Sequence, residues 1–230
     1  MNEREYTSQT LTGPVVRTDA DVAAFAGRVY GWVAAGVVAS AFTAYTVQHN
    51  PSFLASAQNH ILLWLLLPFA PLLLLSIAGP RLSAPLTATL YLAFCAVEGV
   101  SLGVIVSYYA DTAVALALVT TGGLFATMAV IGTVTKRDLT KMGTFLMVAL
   151  FGIIIASFAN LLFASSGLQW VITYAGIAIF LGFTAWDAQR VKTLAQSGNT
   201  GGNTAVMCAT GLYLDILNLF LFLLRIFGDN

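Results

Sequence analysis

Apolar residues fall into seven long runs, roughly 23–47, 61–79, 84–108, 113–134, 142–164, 169–189 and 205–227, with short polar stretches between them. Each run is close to the ~20 residues that an α-helix needs to cross a bilayer. Lipid offers the backbone no hydrogen-bond partners, so runs of this length are read as helices. The short connections predict a single compact all-α bundle. Residues 1–22 stand apart, being polar and mixed in charge, so the chain divides into an amino-terminal tail and a seven-helix membrane domain over 23–230. The tail does not read as a signal peptide, which makes the first helix an uncleaved signal-anchor.

Composition agrees, with 58% apolar and 9% charged residues where a soluble domain carries about 25% charged. The net charge is zero, which gives no reason to expect a nucleic-acid partner. What matters is where the charges fall. With seven spans, Arg4, Arg17, Arg28, Arg81, Lys136, Arg137, Lys141, Arg190 and Lys192 share one side and only Arg225 falls on the other. The positive-inside rule then puts the amino terminus in the cytoplasm and the carboxyl terminus outside. Cys95 and Cys208 lie within apolar runs, with no CxxC spacing, and are expected to be free thiols packed as small core residues.

Smaller patterns refine the bundle. Gly27–Gly31 and Gly99–Gly103 space glycines four apart, as at close helix crossings. Pro68 and Pro71 should kink the second helix. Trp32, Trp64 and Trp170 are candidates for interface anchors. The stretch 197–204 (SGNTGGNT) lacks the lysine and preceding strand of a phosphate loop and reads as a flexible linker.

Three acidic residues lie inside the apolar runs: Glu98, Asp187 and Asp215. A charge at such depth costs several kcal/mol unless a partner, water or a proton relieves it, about 2.5–3.5 kcal/mol by insertion scales. Asp187 is near the cytoplasmic end of helix six and Asp215 about ten residues into helix seven, so neighbouring helices could bring them together. Two carboxylates in hydrogen-bonding range would share a proton and titrate as a unit, giving a proton sensor that, once deprotonated, offers hard oxygen ligands to Ca²⁺. The plainer alternative is that each merely bonds a neighbouring helix or interfacial water. Glu98 either lines a polar pathway or bonds a neighbouring backbone. Arg81 is either a positive-inside anchor or a partner for Asp187. Asn160 and Asn218 read best as helix-to-helix hydrogen-bonding residues.

Enzyme patterns do not carry. The G-x-S-x-G match at 99–103 lacks the strand–turn–helix setting of a hydrolase elbow. An intramembrane aspartyl protease also pairs aspartates on two helices, but the G-x-G-D pattern is replaced here by Leu212-Tyr213-Leu214-Asp215 and the Pro-Ala-Leu element is missing. The chain is read as a non-enzyme, with no cofactor.

Several motifs together resemble the Bax inhibitor family. They are Val29-Tyr30-Gly31, Glu98-Gly99, the TKRDLT stretch at 135–140, the FTAWDAQ stretch at 183–189, and the LYLDILNLF stretch at 212–220 followed by Leu224-Arg225-Ile226. The resemblance runs from about residue 25 to the end and is greatest to bacterial members, which implies a bacterial plasma membrane. It implies a seven-helix fold with helix seven central and the other six around it. It further implies a pH-sensitive Ca²⁺ leak gated by an aspartate pair at Asp187 and Asp215, with a latch arginine near Arg81. Trp186 departs from the family's usual tyrosine before the aspartate, and an indole can donate but not accept a hydrogen bond. A second function is also implied: a non-conducting membrane regulator, since some bacterial relatives are linked to a membrane-bound ATP-dependent protease and eukaryotic ones to cell-death proteins.

Overall fold

The computed structural model describes residues 18–228, so the expected polar tail lies almost wholly outside the described residues. Among the described residues nine α-helices follow one another: α1 (Asp19–Gln48), α2 (Pro51–Asn59), α3 (Ile61–Leu66), α4 (Phe69–Ala78), α5 (Ala84–Val106), α6 (Asp111–Val134), α7 (Thr140–Phe163), α8 (Ser166–Gln196) and α9 (Gly202–Gly228). A 3-10 turn, Gly79–Arg81, follows α4, and no strand occurs among the described residues. Among the described residues seven helical stretches are long and apolar enough to cross a membrane, with α3, α4 and the 3-10 turn together making the second.

Local chemistry sets the helix ends. Thr18 caps α1 with a reciprocal box: the Asp21 N–H donates to Thr18 Oγ1 at 3.2 Å, and the Thr18 N–H donates to Asp21 Oδ2 at 3.0 Å. The helix therefore starts at Asp19, inside the stretch expected to be tail. At 30 residues it is about 45 Å long, more than the ~30 Å of hydrocarbon. The second span breaks at Leu67–Pro68, as its prolines predict, because neither Pro68 nor Pro71 can donate to the helical ladder. The short α2 was not apparent in the apolar pattern; Asn50 caps it by accepting from the Phe53 N–H at 3.1 Å, and Pro51 starts it.

Two expectations are corrected. Helix α8 runs on to Gln196, past Arg190 and Lys192, because Val191 and Ala195 keep a buried face there. The connection to α9 is then only 197–201, and it forms a defined turn rather than a loose linker. Gly198 takes a left-handed φ of 79°, the Asn199 N–H donates to Leu194 O, and the Gly198 N–H donates to Ala195 O, the double closure of a Schellman motif. The glycine pairs also differ. A Cβ built on Gly99 would lie 2.5 Å from Ser40 O and one on Gly103 2.9 Å from Ala44 O, so this pair does allow α1 and α5 to cross closely. Gly27 and Gly31 have nothing within reach and make no such crossing.

Side chains sort by helix. Most of α7 faces outward, with only Gly143 and Leu146 buried, as suits a surface against lipid. Helix α9 is the reverse, the most buried of the seven spans, and it packs against α1, α5, α6 and α8. Cys95 and Cys208 are buried and free. Of the proposed tryptophan anchors, Trp170 is exposed, whereas Trp32 and Trp64 are half-buried.

Among the described residues the basic side chains other than Arg225, which lies in the last turn of α9, gather at one end of the bundle. Arg28 donates to Thr200 O (3.1 Å), Lys192 to Thr133 O (2.8 Å), and Asn203 to Pro80 O beside Arg81 (3.3 Å). These bonds tie α1, the second span, α6 and the α8–α9 turn into one basic face.

Candidate functional site

The tight α8–α9 turn makes these helices antiparallel neighbours, and this fixes depth. Asp187 lies nine residues before the end of α8 and Gly211 nine residues after the start of α9, so each is about 13 Å in from the basic end. The two positions meet: a Cβ built on Gly211 would lie 2.8 Å from Asp187 Oδ2 and 3.4 Å from its Cγ. Asp215 is one turn beyond Gly211 on the same face, about 6 Å deeper.

The rotation of α8 follows from its neighbours. The Ala185 backbone is packed against Gly132 of α6, and the Trp186 ring lies on Gly143 of α7. Asp187, a further ~100° around the helix, is left facing α9. The 135–140 and 183–189 stretches then lock together: Gln189 Nε2 donates to Arg137 O at 2.8 Å, and Gln189 Oε1 accepts from the Leu139 N–H at 2.7 Å. The 135–140 stretch is thereby held to the end of α8.

Both carboxylates are sequestered, Asp187 at 9% and Asp215 at 4% exposure. Arg190 Nη1 lies 3.9 Å from Asp187 Oδ1, at the long limit of an ion pair, and its guanidinium also sits over the Trp186 ring at 5.6 Å. Asp215 feels Asp187 as its charged neighbour, yet its Oδ2 is buried without a hydrogen-bond partner. Arg190, Asp187 and Asp215 thus step from the basic face into the bundle as a line of ionisable groups, with the innermost oxygen unsatisfied.

The other candidates are placed elsewhere. Arg81 is exposed on its 3-10 turn at the same end, but the arginine paired with Asp187 is Arg190. Glu98 is half-buried on α5, in electrostatic reach of Cys95 and Tyr213 rather than of the aspartates. Asn218 donates to Leu214 O of its own helix at 2.8 Å. Asn160 accepts from the Ser165 N–H at 3.0 Å and closes the far α7–α8 turn, where Ala164 has φ 46°. Ser101 of the G-x-S-x-G match is fully buried and donates to Trp64 O. Sequence reasoning missed Gly211, Arg190 and Gln189. The spacing of Gly211, four before Asp215 on one helical face, was the available signal.

A crevice of about 440 Å³ lies between α1, α5, α6 and α9, beyond the aspartates from the basic end. Its walls are apolar apart from Ser40, Thr121, Gln48 and the tyrosines, with Ser40 and Tyr213 sharing a 2.6 Å hydrogen bond. None of Glu98, Asp187 and Asp215 lines it. Among the described residues no three Asp, Glu, His or Cys side chains cluster to hold a metal. Two carboxylates fall short of the six to eight oxygens around a tightly held Ca²⁺ and suit a transient cation better.

This is an all-α integral membrane protein with one buried carboxylate on each of its last two helices. The chain belongs to the Bax inhibitor family: residues 22–230 match the family described as inhibitor of apoptosis-promoting Bax1. It is 34% identical over 224 residues to the inner membrane protein YbhL of Escherichia coli K12, covering 94% of this chain and 96% of that one. Uncharacterized proteins of Deinococcus radiodurans (35% over 208 residues; 89% and 90% covered) and Borreliella burgdorferi (36% over 213; 90% and 92%) are similarly related.

Proposed function

We propose that the protein is a pH-gated, Ca²⁺-permeable leak of a bacterial plasma membrane, with Asp187 and Asp215 as its gating pair and the basic face in the cytoplasm. The observation that carries this reading is the buried, unpartnered Asp215 Oδ2, one turn beyond Gly211, the glycine that the Asp187 carboxylate touches. An ionised carboxylate so placed costs several kcal/mol, at least about 2.5 by insertion scales, until a proton or cation meets it. With both groups ionised, like charges repel across the α8–α9 seam, and Arg190 offsets only the outer one. Protonation removes the repulsion and the Arg190 attraction together and shifts the helices between two packings. A cation held by two carboxylates binds weakly enough to leave again, as conduction requires. The inward orientation is supported by the gathered basic face, and the plasma membrane by the inner-membrane name of the Escherichia coli relative.

The test is Ca²⁺ flux into proteoliposomes containing only this chain, measured across pH. Flux that exceeds that of empty liposomes and varies with pH is expected. Flux equal to that of empty liposomes at every pH would overturn the leak and favour a non-conducting regulator.

A further inference from the structure

A second cavity, about 600 Å³, opens at the basic face just outside Asp187, between the 135–140 stretch and the end of α8. Four cations converge on it: Lys136, Arg137, Arg190 and Lys192. The one carboxylate in its wall is Asp138, and Asp138 Oδ1 is already engaged by the Thr140 N–H at 2.8 Å. Four like charges around one small cavity repel each other, and among the described residues the Asp138 carboxylate and the long Arg190–Asp187 contact offset only part of that charge.

The cations are also held in place. Gln189 fixes the backbone of Arg137 and Leu139 against α8, so the segment that carries Lys136 and Arg137 is held beside the cavity. The Lys192 ammonium is tethered to Thr133 O, which leaves two of its three N–H donors free to turn to a ligand. Arg190 is supported by the Trp186 ring. Positive-inside anchoring explains cations at this face but does not require that they share a preorganised cavity. Forked guanidinium and point-like ammonium donors, with threonine hydroxyls in the same wall, match a tetrahedral anion with several acceptor oxygens.

We propose that this cavity binds a phosphate-bearing anion at the cytoplasmic membrane surface, as a lipid headgroup or as a soluble phosphate. The anion takes contacts from Arg190 and so competes with Asp187 for the same guanidinium. That consequence for gating rests on the function proposed above; the binding itself does not.

Binding is tested without any flux measurement, on the full chain in phosphatidylcholine nanodiscs. One arm adds phosphatidylglycerol to the bilayer, the other adds inorganic phosphate to the buffer, and the readouts are retained lipid by native mass spectrometry and the thermal midpoint. The variant is Lys136→Gln/Arg137→Gln, which leaves the Gln189 clamp intact because that clamp uses the Arg137 carbonyl. Its control is Lys141→Gln, an equally cationic position that does not line the cavity. We expect at least one anion to bind and stabilise the wild type, about ten-fold weakened binding in the double variant, and unchanged binding in the control. A response to the lipid alone identifies a headgroup site, and one to phosphate alone a soluble ligand. The proposal is overturned if neither anion binds beyond the phosphatidylcholine background, if the double variant binds as the wild type does, or if Lys141→Gln weakens binding as much.

Discussion

The Asp187 carboxylate rests on Gly211, where a Cβ would stand 2.8 Å from Oδ2. The glycine is therefore the floor of the charged seam. In Gly211→Ala either α8 must lift or the carboxylate must turn away, and overpacking of this kind costs about 1–3 kcal/mol. The thermal midpoint should fall and the pH response of Ca²⁺ flux should change. Gly27→Ala, at a glycine with open surroundings, should leave both unchanged. Equal effects of the two substitutions would show that Gly211 has no special relation to Asp187.

Asp215→Asn should abolish the pH dependence of flux while the protein stays folded. Asparagine keeps the size and polarity of the side chain but carries no titrating proton. A normal flux–pH curve in a variant that purifies with its wild-type thermal midpoint would make Asp215 structural.

The gathered basic face predicts topology. With seven spans and that face inside, Asn230 is outside. Reporter fusions there should be active only in the form that works beyond the membrane; activity restricted to the cytoplasmic reporter would contradict the orientation.

The spans were legible because an apolar run of twenty residues has few alternatives in lipid. What was illegible lay where that constraint ends. Arg190 and Lys192 look like the close of a membrane helix, yet Val191 and Ala195 carry α8 on as a buried stripe. Gly27–Gly31 matches a crossing motif as well as Gly99–Gly103 does, and which glycine faces a neighbour depends on helix rotation. The aspartates could be singled out by their cost in lipid. Their arginine could not, since Arg81 and Arg190 sit at the same end and only three-dimensional placement separates them.

Asp138 offers a pH prediction outside the membrane. The Thr140 hydroxyl and N–H hold its carboxyl below the ordinary value of 3.8. A group depressed on folding stabilises the fold above its unfolded value and loses that contribution as pH falls through the folded one. Corrected hydrogen exchange at Thr140 should therefore be slow down to about pH 4 and quicken below it. Asp138→Asn should remove that pH step, and an identical step in the variant would exclude Asp138 as its source.

The two aspartates should behave as one unit. The five-residue turn at 197–201 makes α8 and α9 neighbours, and Asp215 sits one turn from the glycine that Asp187 touches. An interaction of about 1.4 kcal/mol between them moves a titration midpoint by one pH unit. Asp187→Asn should consequently displace the midpoint of the flux–pH curve rather than only scale its amplitude. Combining it with Asp215→Asn should add little to the more severe single change, because a broken pair cannot be broken again. Independent carboxylates would give unshifted midpoints and additive effects. Arg190→Gln supplies the internal check: it removes the cation beside Asp187 while keeping both carboxylates, so it should shift the midpoint without abolishing the pH response. Flux against pH for the wild type, the three single variants and the double decides between a coupled pair and two separate groups, and additivity across the cycle would exclude the pair.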